Sequence, residues 1–319
     1  MAANKLATGS RLLAVWPGMG HVALTAGLYL MSKLQMREEE PLATGDLFDL
    51  DHIDVTKGLA TPGHIPMSHL YAFRDPRKNG DLGLVIGEAQ PPTHKLEYCR
   101  RILDGAERLG VGQVVTFAAI AFDIHPRDPS RVFGVATHPE WLEALRSHGI
   151  EVFESGQIQG MNGVFLAAAA ERGIPGVCLM GSMPALAAQI PYPKAAHAVL
   201  QAFASLCDIP LDLEELKEYG RGIDQKLTMG LEKLKEVLST PADPEAGVQS
   251  PPSEEDPADG VVEEGVEGPP AKVRERIEEL FEQAKQDRSK AFELKRELDN
   301  LGAFKDYENR FLDLFRRRP

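Results

Sequence analysis

The chain has 319 residues, of which 43% are hydrophobic and 26% charged, with a net charge of −13. That is enough chain for one large or two modest domains. The acidic balance argues against a nucleic-acid partner, which demands clustered Lys and Arg. No stretch approaches the ~18 uninterrupted apolar residues of a membrane span, and the opening residues are too weakly apolar for a signal peptide. Three widely spaced cysteines, Cys99, Cys178 and Cys207, fall in apolar patterns and read as buried free thiols. A cytoplasmic protein is the expectation.

In chain order, "RLLAVWP" predicts a buried strand, followed by a glycine turn and a helix through "VALTAGLYLMSKLQ". Residues Leu47–Val55 alternate polar and apolar side chains and predict a half-exposed strand. "HLYAFRD" and Asp81–Ala89 are the next strands. A helix is predicted from Thr93 to Leu109, with Pro91 and Pro92 at its start and Thr93 as its cap. Val111–Phe122 predicts a strand buried on both faces. Further strands at "RVFGVATH" and "GVCLMGS" alternate with helices at "PEWLEALRSHG" and "NGVFLAAAAERG". Helices at "YPKAAHAVLQAFASLCD" and "DLEELKEYGRGI" close the segment. Such alternation predicts one three-layer α/β domain over residues 1–239.

Residues 240–270 are rich in Pro and Gly and carry nine acidic residues with no basic or aromatic one. They read as an acidic, disordered linker, because they cannot bury enough apolar surface to offset ordering. Residues 271–319 are strongly helical, with thirteen Lys/Arg against eleven Asp/Glu. Val273, Ile277, Leu280, Phe281 and Ala284 form a stripe that Ala291, Leu294, Leu298 and Leu301 continue. Asn300-Leu-Gly302 reads as a helix stop, after which Tyr307, Phe311, Leu314 and Phe315 line a second short helix. The expectation is a helical hairpin, a C-terminal appendix docking on the main domain or on a partner.

Ligands of open α/β sheets bind beyond the carboxyl ends of the strands. The first such turn is Pro17-Gly-Met-Gly-His21, in which Gly18 and Gly20 can take positive φ. His21 opens the following helix. The turn lacks the lysine of a P-loop and the third glycine of a dinucleotide fingerprint, so a structural turn and an anion site both stand. After the central strand, Glu88, Gln90 and His94 could line a polar pocket, with Glu88 as a base; the same composition equally starts a helix. Gly181-Ser182 follows "VCLM" without the elbow of a hydrolase, which disfavours Ser182 as nucleophile. Gly156, Gly160, Asn162 and Gly163 form a further backbone-donor loop before a helix. The candidate ligand-binding set is Gly18, Gly20, His21, Glu88, Gln90, Asn162, Gly181 and Ser182. The nine histidines show no paired metal spacing, and no catalytic residue, metal or cofactor is implied.

The ordered segments "WPGMGHVA", "GEAQP", "GVGQVVTFAAIAFDIHPRD", "GQIQGMNGVFLAAAAERGIPGVCLMGSMP" and "YPKAAHAVLQAF" resemble the proteasome assembly chaperone 2 family over residues 11–219. The resemblance implies a fold like the α/β domain of purine nucleoside phosphorylases, no established catalytic residues, and protein partners. It covers neither the linker nor the appendix. Relatives often end in a hydrophobic–Tyr–any-residue tail that inserts between proteasome α subunits. Here the last residues are Arg316-Arg-Arg-Pro319, so proteasome binding by that mode has no residues to carry it. The leading expectation is a non-catalytic, homo-oligomeric assembly-chaperone-like protein. The alternative is a small-ligand-binding protein or nucleoside-processing enzyme using the Gly18–His21 and Glu88–Gln90 loops. A third is a self-assembling scaffold joined through the C-terminal helices.

Overall fold

The computed structural model describes residues 10–39, 42–50, 52–77, 80–239, 271–312 and 314. The predicted linker over 240–270, the C-terminal Arg316–Pro319 and Phe315 lie outside the described residues. Ten strands and nine α-helices are described. The strands are β1 (Arg11–Val15), β2 (Arg37–Glu38), β3 (Ile53–Thr56), β4 (Leu59–Pro62), β5 (Ser68–Phe73), β6 (Leu82–Gly87), β7 (Gln113–Phe122), β8 (Val132–Ala136), β9 (Glu151–Val152) and β10 (Gly176–Pro184). The helices are α1 (Val22–Lys33), α2 (Lys95–Arg108), α3 (Pro139–Ser147), α4 (Met161–Glu171), α5 (Pro193–Leu206), α6 (Glu214–Ser239), α7 (Ala271–Gln286), α8 (Ala291–Asn300) and α9 (Phe304–Leu312).

Eight strands make one sheet in the order β2-β5-β6-β1-β7-β10-β8-β9. The central four, β6-β1-β7-β10, are mutually parallel, while β5 and β8 run antiparallel to them. Parallel strands need helical crossovers and cover on both faces, which explains their nearly continuous apolar composition. Side chains alternate between two cores. Leu13, Val15, Val115 and Phe117 meet α1, α3, α5 and α6. Leu12, Ala14, Val114 and Ala118 meet α2 and α4. The result is an α/β fold with helices on both faces of a mixed sheet. Both sheet edges are two-residue strands, which limits edge-to-edge pairing.

Several local expectations are corrected. Leu47–Val55 does not join the main sheet. A 3-10 turn occupies Gly45–Leu47, and β3 pairs only with β4 through a two-residue turn at Lys57-Gly58. Both turn residues take positive φ, 52° and 77°, as a type I′ hairpin requires. Helix α2 starts at Lys95, with His94 rather than Thr93 at its N-cap; His94 adopts a left-handed conformation without a side-chain cap. Gly181 and Ser182 lie inside β10 rather than in a loop after it. Helix α6 extends through Gly220 and Gly222 to Ser239. At Gly220 a Cβ would stand 3.2 Å from the Lys194 backbone, so this glycine is a close contact point with α5.

The appendix holds three helices where the sequence predicted two, because Arg288–Lys290 tightens into a 3-10 turn between α7 and α8. Gly302 (φ 66°) ends α8, with the Gly302 N–H donating to Asp299 O and the Ala303 N–H to Leu298 O. Ile277, Phe281, Leu294, Leu298 and Phe311 belong to the same core as α1. Helix α1 is buried along its length from Val22 to Met31, since the sheet covers one side and α5 and α8 cover the rest. The Tyr29 and Phe292 rings meet edge to face at 4.7 Å across that contact. Cys99, Cys178 and Cys207 are free and buried, and burial pushes their thiols up to about 12, 11 and 11. No described helix is long and apolar enough to cross a membrane.

Candidate functional site

The carboxyl ends of β1, β6, β7 and β10 share one edge of the sheet, and the candidate turns gather there. Gly20 sits at φ 59°, and a Cβ on it would stand 2.7 Å from the Met183 thioether and 3.3 Å from Tyr192 Cβ. Its amide donates to Ala188 O at 3.0 Å, and its carbonyl accepts from the Tyr192 N–H at 2.8 Å. Both backbone groups of this glycine are therefore used inside the protein. Gly18, which could take positive φ, is instead extended and open to solvent. His21 is the N-cap of α1 at φ 49° and makes no side-chain cap. Its ring meets Phe304 of α9 edge to face at 5.1 Å, so the appendix covers the first turn. Burial, with the Lys295 ammonium nearby, lowers the His21 pKa to about 4 and keeps the imidazole neutral.

Gln90 joins three of the predicted loops. Its Nε2 donates to Pro17 O at 2.8 Å, and its Oε1 accepts from the Met161 N–H at 3.2 Å. The first turn, the segment after β6 and the start of α4 thus meet through one amide. Beneath it, Gly87 leaves room for Trp16, whose Nε1 would lie 2.4 Å from a Cβ there. Trp16 donates to Tyr98 OH at 3.0 Å, and the chain continues through Ser68 Oγ at 2.5 Å to Thr44 Oγ1 at 3.0 Å. This buried polar relay fixes the floor of the site.

Glu88 is 2% exposed. Its carboxylate takes hydrogen bonds from His64, from the Met67 N–H at 2.8 Å and from His69 Nε2 at 3.0 Å. His69 Nδ1 lies 3.6 Å from Glu38, and Arg288 of the appendix pairs with the same Glu38 oxygen at 2.5 Å. Carboxylates alternate with basic side chains from the appendix to the root of the β3–β4 hairpin. The predicted base is surrounded by donors, an arrangement that holds a buried carboxylate rather than presenting it to a substrate. His64 and His69 were not legible as its partners. They reach Glu88 from 24 and 19 residues away because β5 pairs antiparallel to β6, with Ser68 opposite Gly87.

Ser182 Oγ accepts from the Arg131 N–H at 2.7 Å, and its carbonyl takes the Ser130 hydroxyl at 2.5 Å, tying β10 to the start of β8. At Gly181 a Cβ would stand 2.8 Å from Ala195 O, so that position serves packing against α5. Asn162 lies in the first turn of α4. Within the candidate set, His21 Nδ1 and Asn162 Oδ1 are the buried side-chain atoms without a hydrogen-bond partner. Among the described residues no group of three or more His, Cys, Asp or Glu is placed to hold a metal ion.

Known proteins share this architecture. An uncharacterized protein of Methanocaldococcus jannaschii is 28% identical over 244 residues, which cover 75% of this chain and 88% of that protein. Pyrococcus furiosus PbaB, an archaeal proteasome activator, superposes with a TM-score of 0.60 at 23% identity, covering 73% of this chain and 95% of that one. A Mycobacterium tuberculosis proteasome-assembly chaperone homologue gives 0.59 at 22% identity over 73% and 96% of the two chains. A PAC2 family protein of Streptomyces avermitilis gives 0.58 at 25% identity over 70% and 95%. The PAC2 family model itself matches residues 12–228, from the first buried strand to the second half of α6 and across every turn of the candidate site. The chain belongs to the PAC2 family.

Proposed function

We infer that the protein is a non-catalytic, protein-binding assembly-chaperone-like component that works as a homo-oligomer. The observation that carries this reading is the closure of the carboxyl-edge turns on one another. Gln90 spends donor and acceptor on Pro17 and Met161, Gly20 spends both backbone groups on the segment after β10, and Glu88 is ringed by donors. A catalyst keeps some polar groups aimed at its substrate. Family membership supports the same reading, since similar folds belong to a proteasome activator and a proteasome-assembly chaperone homologue. The net charge of −13 favours a protein partner over nucleic acid, and the buried free thiols favour a reducing, cytoplasmic setting. The division into 1–239, 240–270 and 271–319, and the likeness to the purine nucleoside phosphorylase fold, belong to the same reading.

A second reading, a small-ligand or nucleoside site at Gly18–His21 and Glu88–Gln90, is favoured by the unpaired His21 Nδ1 and Asn162 Oδ1. Two measurements separate them. Cross-linked affinity purification from native extract should recover a protein partner in near-stoichiometric amount. A thermal-shift panel of phosphate, nucleosides and nucleotides should leave Tm unchanged. Recovery of the chain alone, together with a nucleoside that raises Tm by several degrees, would reverse the assignment.

A further inference from the structure

The β7–β8 loop leaves the same sheet edge as the glycine turns and carries Arg127 and Asp128. Strands β7 and β10 are parallel and in register to their ends, with Phe122 opposite Pro184. The loop and the segment leading to α5 therefore start side by side, at the edge where open α/β sheets bind ligands. The loop is held by its own bonds. The His125 N–H donates to Asp128 Oδ2 at 2.8 Å, and the Arg127 N–H donates to His125 Nδ1 at 3.1 Å. Lys194 of α5 fastens the loop to α6, because its Nζ donates to Pro126 O at 2.7 Å and to Asp224 Oδ2 at 2.8 Å. Gly220, one turn before Asp224, lets α6 come this close to Lys194.

Between the loop and α6 lies a cavity of about 360 Å³, lined by Arg127, Arg221, Asp224, Gln225, Thr228 and Met229. On α6, Arg221, Asp224, Gln225 and Thr228 stand three or four residues apart or multiples of that, and so share a face. Two of these lining residues hold a buried oxygen with no use inside the protein. Thr228 is 3% exposed, and its Oγ1 has no hydrogen-bond partner among the described residues. Asp224 gives Oδ2 to Lys194, while its buried Oδ1 likewise has no partner among them. A helical threonine can return its hydroxyl to the carbonyl one turn back, and a buried polar group left without a partner is costly.

The charges of the lining balance. Arg127 pairs with Glu232 at 2.9 Å, Arg221 with Glu218, and Asp224 with Lys194. No surplus charge favours a simple anion such as phosphate. Both arginine pairs are exposed, and exposed pairs hold weakly, so either guanidinium can turn its planar fork to a carboxylate of a ligand. A carboxylate for the arginines and a donor for Asp224 and Thr228 together describe a zwitterion. The volume equals roughly a dozen waters, at the small end of ligand pockets, which is room for a free amino acid.

We propose that this cavity binds a free α-amino acid. Arg127 and Arg221 hold its carboxylate, Asp224 Oδ1 and Thr228 Oγ1 accept from its ammonium group, and Met229 lies along its side chain. The site is separate from the Gly18–His21 and Glu88–Gln90 turns and does not depend on the assembly-chaperone reading.

The test adds the common L-amino acids singly, in large excess, to the full-length protein and reads the thermal shift, with titration calorimetry on those that raise Tm. At about a hundredfold excess over its Kd, a bound amino acid should raise Tm by several degrees. The amine that lacks its carboxylate and the hydroxy acid that lacks its ammonium should each bind roughly tenfold or more weaker. Arg221→Gln and Thr228→Val should each weaken binding by a similar factor. Thr228→Val should leave the Tm of the unliganded protein unchanged or higher, since it removes a buried hydroxyl that has no partner. Arg221→Gln alters an exposed side chain and leaves the fold intact. If no amino acid shifts Tm, the proposal is overturned. Phosphate, the amine or the hydroxy acid binding as tightly as the amino acid would overturn the ligand class. Binding untouched by either substitution would put the ligand elsewhere and overturn the site.

Discussion

His21 is where sequence and structure diverge most usefully. As a residue in a glycine turn it reads as a ligand contact, yet its ring lies against Phe304 and its pKa is lowered to about 4, first by burial and then by Lys295. An unfolded histidine titrates near 6.5. Above pH 6.5 the ring is neutral in both states and costs nothing. As pH falls from 6.5 to 4 the unfolded chain binds the proton first, and stability declines by up to about 3 kcal/mol. His21→Asn tolerates the left-handed backbone and carries no titrating ring. Urea midpoints measured from pH 7.5 to 4 should fall less steeply for the variant, and parallel curves would remove His21 as the source. Gly20→Ala should cost about 1–3 kcal/mol, from its positive φ and its approach to Met183. In a Met183→Ala background that cost should shrink, and a double-mutant cycle in urea reads the coupling directly.

At the scale of elements, the buried Lys295 decides how the appendix holds on. Lys295 Nζ donates to Asp299 Oδ2 at 2.6 Å with both side chains essentially inaccessible, and Tyr219 of α6 donates to the same oxygen at 2.8 Å. Lys295 also sits 4.4 Å from the centre of the Phe304 ring. Removing one member of such a pair leaves an uncompensated charge. Lys295→Met should therefore lose about 3–5 kcal/mol, and Lys295→Met with Asp299→Asn should recover part of it; equal urea midpoints for single and double variants would argue against the pairing. The stripes of α7 and α8, the strand β7 and the helix α2 were legible because apolar residues recur at the helical period or run unbroken. Other features were not. The ends of the sheet are two-residue strands with no periodicity to read, and α6 runs on to Ser239, past Ile223 where the sequence reading ended it. The turn residues were found, but their contacts were not: Gln90 clasps two loops, Glu88 accepts from His69 and the Met67 N–H, and Ser182 ties two strands. Those contacts depend on strand register and on the appendix, which composition cannot convey.

For the whole molecule, the question is what the appendix does for a domain whose family match ends at residue 228. Helix α1 gives the clearest answer. A helix in contact with solvent on one side carries a polar face, yet Val22 to Met31 are buried without exception. Tyr29 packs on Phe292, and His21 at the head of the helix lies under Phe304. Arg288 ties the start of α8 to Glu38 on the edge strand, and Arg296 pairs with Glu215 of α6. The appendix is thus part of the core, and deleting it would uncover a continuous apolar face of the kind that drives association. A chain truncated after Ser239 should bind anilinonaphthalene sulfonate strongly, lose its cooperative thermal transition and sediment as heterogeneous aggregate. Supplying residues 271–319 in trans should reverse the dye binding if the docked helices, and not the covalent connection, provide the cover. A truncated chain that stays monomeric, dye-free and cooperative would mean that α1 carries its own cover, and that the appendix serves something other than the stability of the fold.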